Sequence, residues 1–300
     1  MKSFKYILLS AIIAASVITT GCSGDENENS QASTYVTAPT DTTVKTTGDK
    51  ILLNDSTLGE IWITELEGVN KNELDPNGFT ADSTFKYYTE KGKPASTEGV
   101  DVSEYNGSID WKAVADSGVD FAMIRIGGRG YGEAGSLYAD EKAIENLKGA
   151  QANGIKTGVY FFSQAINVDE AIEEANYTIQ LLGDIKLDYP IAYDWELIKD
   201  DTARTDNVSA YEATECAKAF CDTVKAKGYT PIIYSPSREL YFKYDLSRLS
   251  DIDIWYCGYE NTPSFYYEFS MWQYSYNSVV DGIDGETDLN ICFTNIADYA

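Results

Sequence analysis

Between residues 98 and 300 the sequence predicts an α/β fold, a barrel of eight strands. Apolar runs of strand length recur eight times, at 99–102, 121–126, 157–163, 190–195, 230–234, 253–259, 270–274 and 287–292. Segments with helical 3.6-residue periodicity separate the early runs, at 110–117, 140–153, 168–183 and 209–227. Eight strands that alternate with helices are typical of a (β/α)₈ barrel. Gly154, Gly183 and Gly228 lie at or just past the ends of the three longer helices, as helix-terminating glycines do.

The last part of the barrel is short of helices. Only residues 260–269 separate the sixth strand from the seventh, and 275–286 separate the seventh from the eighth. A parallel crossover takes about a dozen residues or more, usually with a helix. Both segments instead contain turn-forming residues, such as 261–263 and 281–285. We therefore expect the last strands to pair antiparallel, in an irregular TIM-like barrel with fewer helices than strands.

The chain begins with a predicted export signal. Lys2 and Lys5 precede an uncharged apolar run at 7–18, which has the length of a signal-peptide core and is short for a membrane span. The small residues that lead into Gly21 and Cys22 resemble the lipobox of bacterial lipoproteins. We expect a lipoprotein signal peptide over 1–22, with a lipid on Cys22 that anchors the protein to the outer face of the cytoplasmic membrane. A plain signal peptide is the alternative, and it also places the protein outside the cytoplasm.

Two short regions precede the barrel. Residues 23–50 are rich in threonine and other small polar residues, a composition that predicts a disordered linker. Apolar clusters at 51–53 and 61–63 are interrupted by polar turns such as 75–78. This pattern predicts a small N-terminal extension with some β structure over 51–97, followed by the barrel domain over 98–300.

Composition excludes several classes of function. The chain has 48 acidic and 23 basic residues, a formal net charge of −25, which disfavours binding to nucleic acid. Histidine is absent, so Ser-His-Asp triads, Cys-His pairs and HExxH zinc sites are excluded. Carboxylates remain the best candidates for proton transfer. No cofactor or metal is expected, and a monomer is the default expectation.

Four cysteines lie beyond Cys22, at Cys216, Cys221, Cys257 and Cys292. They form no CxxC pair, which argues against a zinc ribbon. Cys257 and Cys292 fall in apolar strand-like segments and are predicted to be buried thiols. The sequence leaves disulfide pairing open.

Acidic residues fall at the predicted ends of strands. Asp101 lies in the first strand, Asp194 and Glu196 at the end of the fourth, and Asp288 in the eighth. Asp194 and Glu196 are two residues apart, so on a strand they face the same way. Barrel enzymes carry their chemistry at the C-terminal ends of the strands, and crowded carboxyls suit glycoside hydrolysis. The alternative for each acid is to cap the helix that follows.

Eight motifs then occur in one order, at 99–103, 109–111, 121–125, 158–163, 190–196, 228–231, 271–274 and 288–290. Together they resemble the lysozymes of glycoside hydrolase family 25, over about residues 98–295. The resemblance implies an irregular eight-stranded barrel with fewer helices. It also implies cleavage of the β-1,4 bond between N-acetylmuramic acid and N-acetylglucosamine in peptidoglycan, whose glycan strands are the expected partner. Phe161 departs from the family, which often has His at that position.

The resemblance also implies roles for individual residues. Glu196 would be the general acid/base, and Asp194 would orient the substrate's 2-acetamido group, whose carbonyl oxygen serves as an internal nucleophile. Asp101 and Asp288 would shape the site and its hydrogen bonds. Four further residues would line the sugar groove: Tyr160, Tyr234, Trp272 and Arg125. Two alternatives remain, a non-catalytic glycan-binding lipoprotein and a hydrolase of another acetamido-sugar polymer such as chitin.

Overall fold

The computed structural model describes residues 44–55, 58–199, 201–293 and 299. The predicted signal peptide, the lipidation site Cys22 and the predicted linker as far as residue 43 lie outside these residues. Within the described part, no helix combines the length and the apolar character that a membrane span requires.

Two small antiparallel sheets form the N-terminal extension. The first contains β1 (Thr46–Asp55) and β2 (Gly59–Leu66), and the second contains β3 (Phe79–Ala81), β4 (Lys86–Glu90) and β5 (Lys93–Pro94). Because β1 begins at Thr46, residues 46–50 belong to the extension and not to the predicted linker. Their polar composition hid a strand that forms through cross-strand pairing, for example of Lys50 with Thr64.

All eight predicted barrel strands are present. The chain continues through β6 (Thr97–Val102), β7 (Phe121–Arg129), β8 (Leu137–Ala139), β9 (Lys156–Ser163), β10 (Ile191–Trp195), β11 (Pro231–Pro236), β12 (Asp253–Cys257), β13 (Met271–Ser278) and β14 (Thr287–Cys292). The strand order is β6-β14-β13-β12-β11-β10-β9-β7, and pairing of β7 with β6 closes the barrel. The short β8 pairs with β7 outside this closed circle. The predicted α/β barrel is confirmed.

Antiparallel pairing within the barrel is confined to β14, which runs opposite to both β13 and β6. β12 and β13 pair in parallel, with Tyr256 opposite Trp272, so the expected antiparallel pairing holds for the eighth strand but not between the sixth and seventh. The connection 258–270 crosses without a helix, because the N-terminal extension supports it. Asn72 donates its backbone N–H to the carbonyl of Tyr266, and Glu268 donates to the carbonyl of Asn70, both at 2.9 Å.

The four predicted helices are confirmed as α1 (Trp111–Asp116), α2 (Ala143–Ala152), α3 (Val168–Leu182) and α4 (Ala210–Ala226), and a short α5 (Ser237–Phe242) adds a fifth. Local sequence fixes the starts of α3 and α4. Ser209 and Glu212 form a reciprocal capping box at α4, and the Asn167 side chain accepts from the N–H of Glu170 at α3. Gly183, directly after α3, has a φ of 57°, which glycine adopts readily.

Side chains of the barrel strands alternate between two cores. One fills the barrel interior and includes Phe121, Met123, Ile232 and Met271, and the other lies between the strands and the surrounding elements. Phe161 belongs to the outer core, where its ring packs 6.5 Å from that of Phe220 on α4. Phe161, where family 25 lysozymes often have His, therefore faces the surrounding helices and not the barrel interior. Cys216, Cys221 and Cys257 are buried thiols.

Candidate active site

The predicted acids converge at one end of the barrel. Asp101 on β6 and Asp194 on β10 lie at the C-terminal ends of parallel strands, with inward-facing Met123 and Tyr234 as their respective cross-strand partners. β14 runs in the opposite direction, so its first residues reach this same rim, and Asp288 lies directly opposite Asp101. Four carboxyl groups, with Glu196, are thus brought together.

Asp194 and Glu196 form the pair nearest to the end of β10. Asp194 is buried within the strand, and Glu196, one residue past its end, is half-buried. Burial raises the pKa of Asp194 well above its usual value, and the charge of Glu196 raises it further. Burial also raises the pKa of Glu196 to about 7, although the hydrogen bond with Asp194 opposes the shift. The pair can therefore hold a proton at neutral pH, as a general acid requires.

One oxygen of Asp194 is unused by the protein. Its Oδ1 is buried and has no hydrogen-bond partner among the described residues. A buried acceptor without a donor is costly, typically by about 1–3 kcal/mol, and such atoms occur where a ligand supplies the missing partner. Asp194 is therefore placed to accept a hydrogen bond from an N–H or O–H group of a bound molecule.

Asp101 is held by two amides. Its Oδ2 accepts hydrogen bonds from the side chains of Gln273, at 2.9 Å, and Asn290, at 2.8 Å. Burial raises the pKa of Asp101 to about 6, and the two amide donors oppose that shift by favouring the carboxylate. Burial, together with the nearby charges of Asp101 and Glu196, raises the pKa of Asp288 to about 9.

Gln273 is the centre of this hydrogen-bond network, and sequence reasoning missed it. Its Oε1 accepts from the hydroxyls of Tyr234, at 2.9 Å, and Tyr259, at 3.1 Å, as well as from the thiol of Cys257. Asn290 was missed as well, and its Oδ1 accepts from the indole N–H of Trp255 at 2.9 Å. Strand alternation offered a signal, since Asn290 follows Asp288 by two residues and lies on the same side of β14.

Comparison with known proteins adds an independent observation. Residues 100–283 match the family described as Glycosyl hydrolases family 25. The chain belongs to this family. It is 26% identical over 195 residues to the autolytic lysozyme of Clostridium acetobutylicum, an alignment that covers 64% of this chain and 55% of that protein. The chain thus spans about half the length of that relative.

Solved structures show the same fold. The spore cortex lytic enzyme SleM of Clostridium perfringens superposes with a TM-score of 0.59 at 24% identity, covering 70% of this chain and 71% of that one. The modular autolysin LytC of Streptococcus pneumoniae, solved with a synthetic peptidoglycan ligand, gives a TM-score of 0.58 at 25% identity, covering 81% of this chain and 57% of that one.

In this family 25 barrel, two of the predicted sugar-binding aromatic residues border the acids. Tyr160 on β9 is half-buried, and Tyr234 on β11 is buried. Both rings pack edge-on to Trp255, with centroid distances of 6.3 Å and 4.7 Å respectively. These three aromatic side chains form one wall of the inner barrel beside Asp194.

Arg125 lies next to Tyr160 across the β7–β9 ladder, with its guanidinium group engaged by other acids. It forms ion pairs with Asp140 at 2.8 Å and Glu104 at 3.0 Å, and its guanidinium carbon lies 4.7 Å from the ring centre of Tyr105. Its charge lowers the pKa of Asp194, opposing burial. The structure therefore places Arg125 as an electrostatic neighbour of the acids.

Trp272 does not line the groove, in contrast to the prediction. Its side chain is fully buried on the outer face of β13, where its ring lies 5.8 Å from that of Phe79 in the N-terminal extension. Its indole N–H donates to the carbonyl of Gly258 at 2.7 Å. Because successive residues of a strand face opposite sides, it is the next residue, Gln273, that points inward to the acids.

Proposed function

We propose that the protein is a peptidoglycan hydrolase that cleaves the β-1,4 bond between N-acetylmuramic acid and N-acetylglucosamine. The observation that carries this proposal is the Asp194–Glu196 pair at the rim of a family 25 barrel, in which Asp194 has a buried oxygen without a partner. The relative named autolytic lysozyme and the peptidoglycan-bound LytC structure support the choice of substrate.

In the proposed mechanism Glu196 acts first as the general acid. Its carboxyl protonates the glycosidic oxygen as the bond from that oxygen to the anomeric carbon breaks. The carbonyl oxygen of the substrate's own 2-acetamido group attacks the anomeric carbon and forms a cyclic oxazolinium intermediate. Water then attacks the anomeric carbon as the bond from that carbon to the acetamido oxygen breaks, which restores the 2-acetamido group. The Glu196 carboxylate accepts the proton of that water, which regenerates the acid.

Asp194 holds the acetamido group in position. Its unpartnered Oδ1 accepts the acetamido N–H, which aligns the carbonyl oxygen with the anomeric carbon and stabilises the charge that develops on the amide nitrogen. Asp101 and Asp288 shape the electrostatic field around the pair, and hydrogen bonds from Gln273 and Asn290 hold Asp101 in place. Tyr160 and Tyr234 line the sugar groove, with Arg125 beside them.

The decisive experiment is digestion of purified peptidoglycan by the protein and by its Glu196→Gln variant, with products identified by mass spectrometry. We expect muropeptides that end in reducing N-acetylmuramic acid, from the unmodified protein alone. Products with reducing N-acetylglucosamine ends would show that the enzyme cleaves the other glycosidic bond of the glycan strand. Retained cleavage in a folded Glu196→Gln variant would contradict the role of Glu196, and absence of products from both would contradict the hydrolase itself.

For localisation, we propose export followed by anchoring through a lipid on Cys22, with the protein acting as a monomer at the outer face of the cytoplasmic membrane. The lipobox-like residues before Cys22 support the anchor. A Cys22→Ala variant should move from the membrane fraction to the culture medium or periplasm. An unchanged membrane fraction would contradict lipid anchoring at this residue.

A further inference from the structure

Two exposed tyrosines contact each other at the rim of the barrel. Tyr259 follows β12, and Tyr276 lies towards the C-terminal end of β13, so both sit at the same end as the acids. Their ring centroids are 4.7 Å apart and the rings are tilted by 58°. Tyr259 is 53% exposed and Tyr276 is 51% exposed. About half of each side chain therefore remains open to a ligand, and we call these two residues the rim tyrosine pair.

The rim tyrosine pair is joined to the acids by hydrogen bonds. The hydroxyl of Tyr259 donates to Oε1 of Gln273 at 3.1 Å, and Nε2 of Gln273 donates to Asp101 at 2.9 Å. A single amide side chain thus separates the exposed ring from a buried carboxyl group of the candidate active site. The rim tyrosine pair is therefore a neighbour of that site.

The segment that carries Tyr259 is fixed on both sides of the residue. The Gly258 carbonyl accepts from the indole N–H of Trp272 at 2.7 Å. Lys86 of the N-terminal extension donates its ammonium group to the carbonyls of Glu260 and Asn261, at 2.6 Å and 2.8 Å. Because these contacts fix the backbone before binding, the ring can bind a ligand with little loss of conformational entropy.

We propose that the rim tyrosine pair is a glycan-binding subsite that holds a sugar ring beyond the pair of residues whose bond is cleaved. The identity of the polymer rests on the proposed function. Tyrosine combines an apolar ring with a polar tip, which suits a neutral pyranose with its C–H faces and hydroxyls. The protein's net charge of −25 disfavours an anionic ligand. A subsite at this position makes binding depend on glycan length.

The test is a binding titration of the full chain with the tetramer and the dimer of β-1,4-linked N-acetylglucosamine, used as uncharged probes. Tyr276→Ala should weaken tetramer binding by about three- to tenfold, the range expected for one aromatic contact. Dimer binding should stay within about twofold of that of the unmodified protein. Tyr259→Phe keeps the ring and should bind the tetramer as the unmodified protein does.

Tyr211 provides a matched control. It is also 51% exposed, but its ring contacts Arg248, with the guanidinium carbon 5.3 Å from the ring centre. Tyr211→Ala should leave tetramer affinity unchanged. Thermal unfolding of each variant separates a local effect from misfolding. If Tyr276→Ala does not fold, Tyr276→Leu tests the subsite, because it keeps an apolar side chain but removes the aromatic ring and should also weaken tetramer binding.

The outcomes distinguish this inference from the proposed function. Equal tetramer affinity of Tyr276→Ala and the unmodified protein would overturn the subsite, as would failure of the unmodified protein to bind the tetramer. If the protein cleaves peptidoglycan but Tyr276→Ala and the unmodified protein bind the tetramer equally, the proposed function stands and the subsite is wrong. If tetramer binding depends on Tyr276 but the protein does not cleave peptidoglycan, the subsite stands and the proposed hydrolase activity is wrong.

Discussion

Asp288 and Asp101 are direct cross-strand partners on β14 and β6. Two ionised carboxylates in this position would repel each other. The network divides their roles, because two amides donate to Asp101 and favour its charged form. The pKa of Asp288 is raised to about 9, by burial first and then by Asp101. Near neutral pH Asp101 therefore carries the charge and Asp288 retains its proton.

The Asp288→Asn variant should be more stable than the unmodified protein at pH 8, by about 1–3 kcal/mol. Folding raises the pKa of Asp288, so its contribution to stability is full below the unfolded pKa of about 4 and is lost as pH rises towards 9. Asn carries no such dependence. Urea unfolding at pH 4 and pH 8 measures the effect, and an equal difference at both pH values would contradict the assignment.

Hydrolysis should decline on the alkaline side of about pH 7. Glu196 must be protonated to act as the general acid, and its pKa is raised to about 7, chiefly by burial. Above that pH, kcat/KM should fall about tenfold per unit. The measurement is a pH profile of peptidoglycan digestion, with circular dichroism to show that the fold is retained. A flat profile from pH 7 to 9 would exclude Glu196 as the acid.

Replacing Gln273 by Leu should destabilise the protein by about 1–3 kcal/mol and raise the pKa of Asp101. The substitution removes one amide donor from Asp101 and the acceptor used by Tyr234 and Tyr259. Urea unfolding and carboxyl titration by NMR follow the two effects.

A control for this substitution is Gln151→Leu. Gln151 donates to Thr157 at 2.7 Å, at the N-terminal end of β9 and away from the acids. Its loss should leave the titration of Asp101 unchanged. An unshifted Asp101 in the Gln273 variant would show that this amide does not favour its charge.

Substitution of Trp272 should lower mainly stability, whereas substitution of Tyr160 should lower mainly activity. Trp272→Phe removes the partly buried hydrogen bond from the indole N–H to the Gly258 carbonyl, so stability should fall by about 1–3 kcal/mol while kcat changes less than about twofold. Tyr160→Ala should lower kcat/KM about tenfold or more, because the half-buried ring faces the acids. A large loss of kcat in Trp272→Phe would contradict its placement behind the site and indicate that the residue acts in the sugar groove.

Sequence alone predicted the barrel because its strands are short apolar runs between turns. These apolar runs do not indicate which of their residues face the site. A barrel strand is buried on both faces, so the apolar pattern of β13 does not distinguish inward from outward positions. The family resemblance implies a groove position for Trp272, but in the structure Gln273 faces the acids and Trp272 packs on Phe79. Acids were easier to place, because β10 ends beside Asp194 and Glu196.

Contacts distant in sequence account for the other difference. The length of the segment 260–269 argues against a parallel crossover only when the N-terminal extension is left out of account. Residues nearly 200 positions earlier supply its hydrogen bonds, including that from Asn70 to the side chain of Glu268 at 2.8 Å. No local pattern in the segment predicts such partners.

The packing of the extension on β13 bears on how the chain can be divided. Phe79 lies 5.8 Å from Trp272 and 5.9 Å from Phe293, and Tyr88 lies 5.5 Å from Phe293. These rings cover a side of the barrel where the connection before β13 has no helix. Removing the residues ahead of 100, where the match to the family begins, would leave this aromatic surface of the barrel open to water and favour aggregation. The smallest fragment for engineering should therefore begin ahead of Asn70 and retain Phe293.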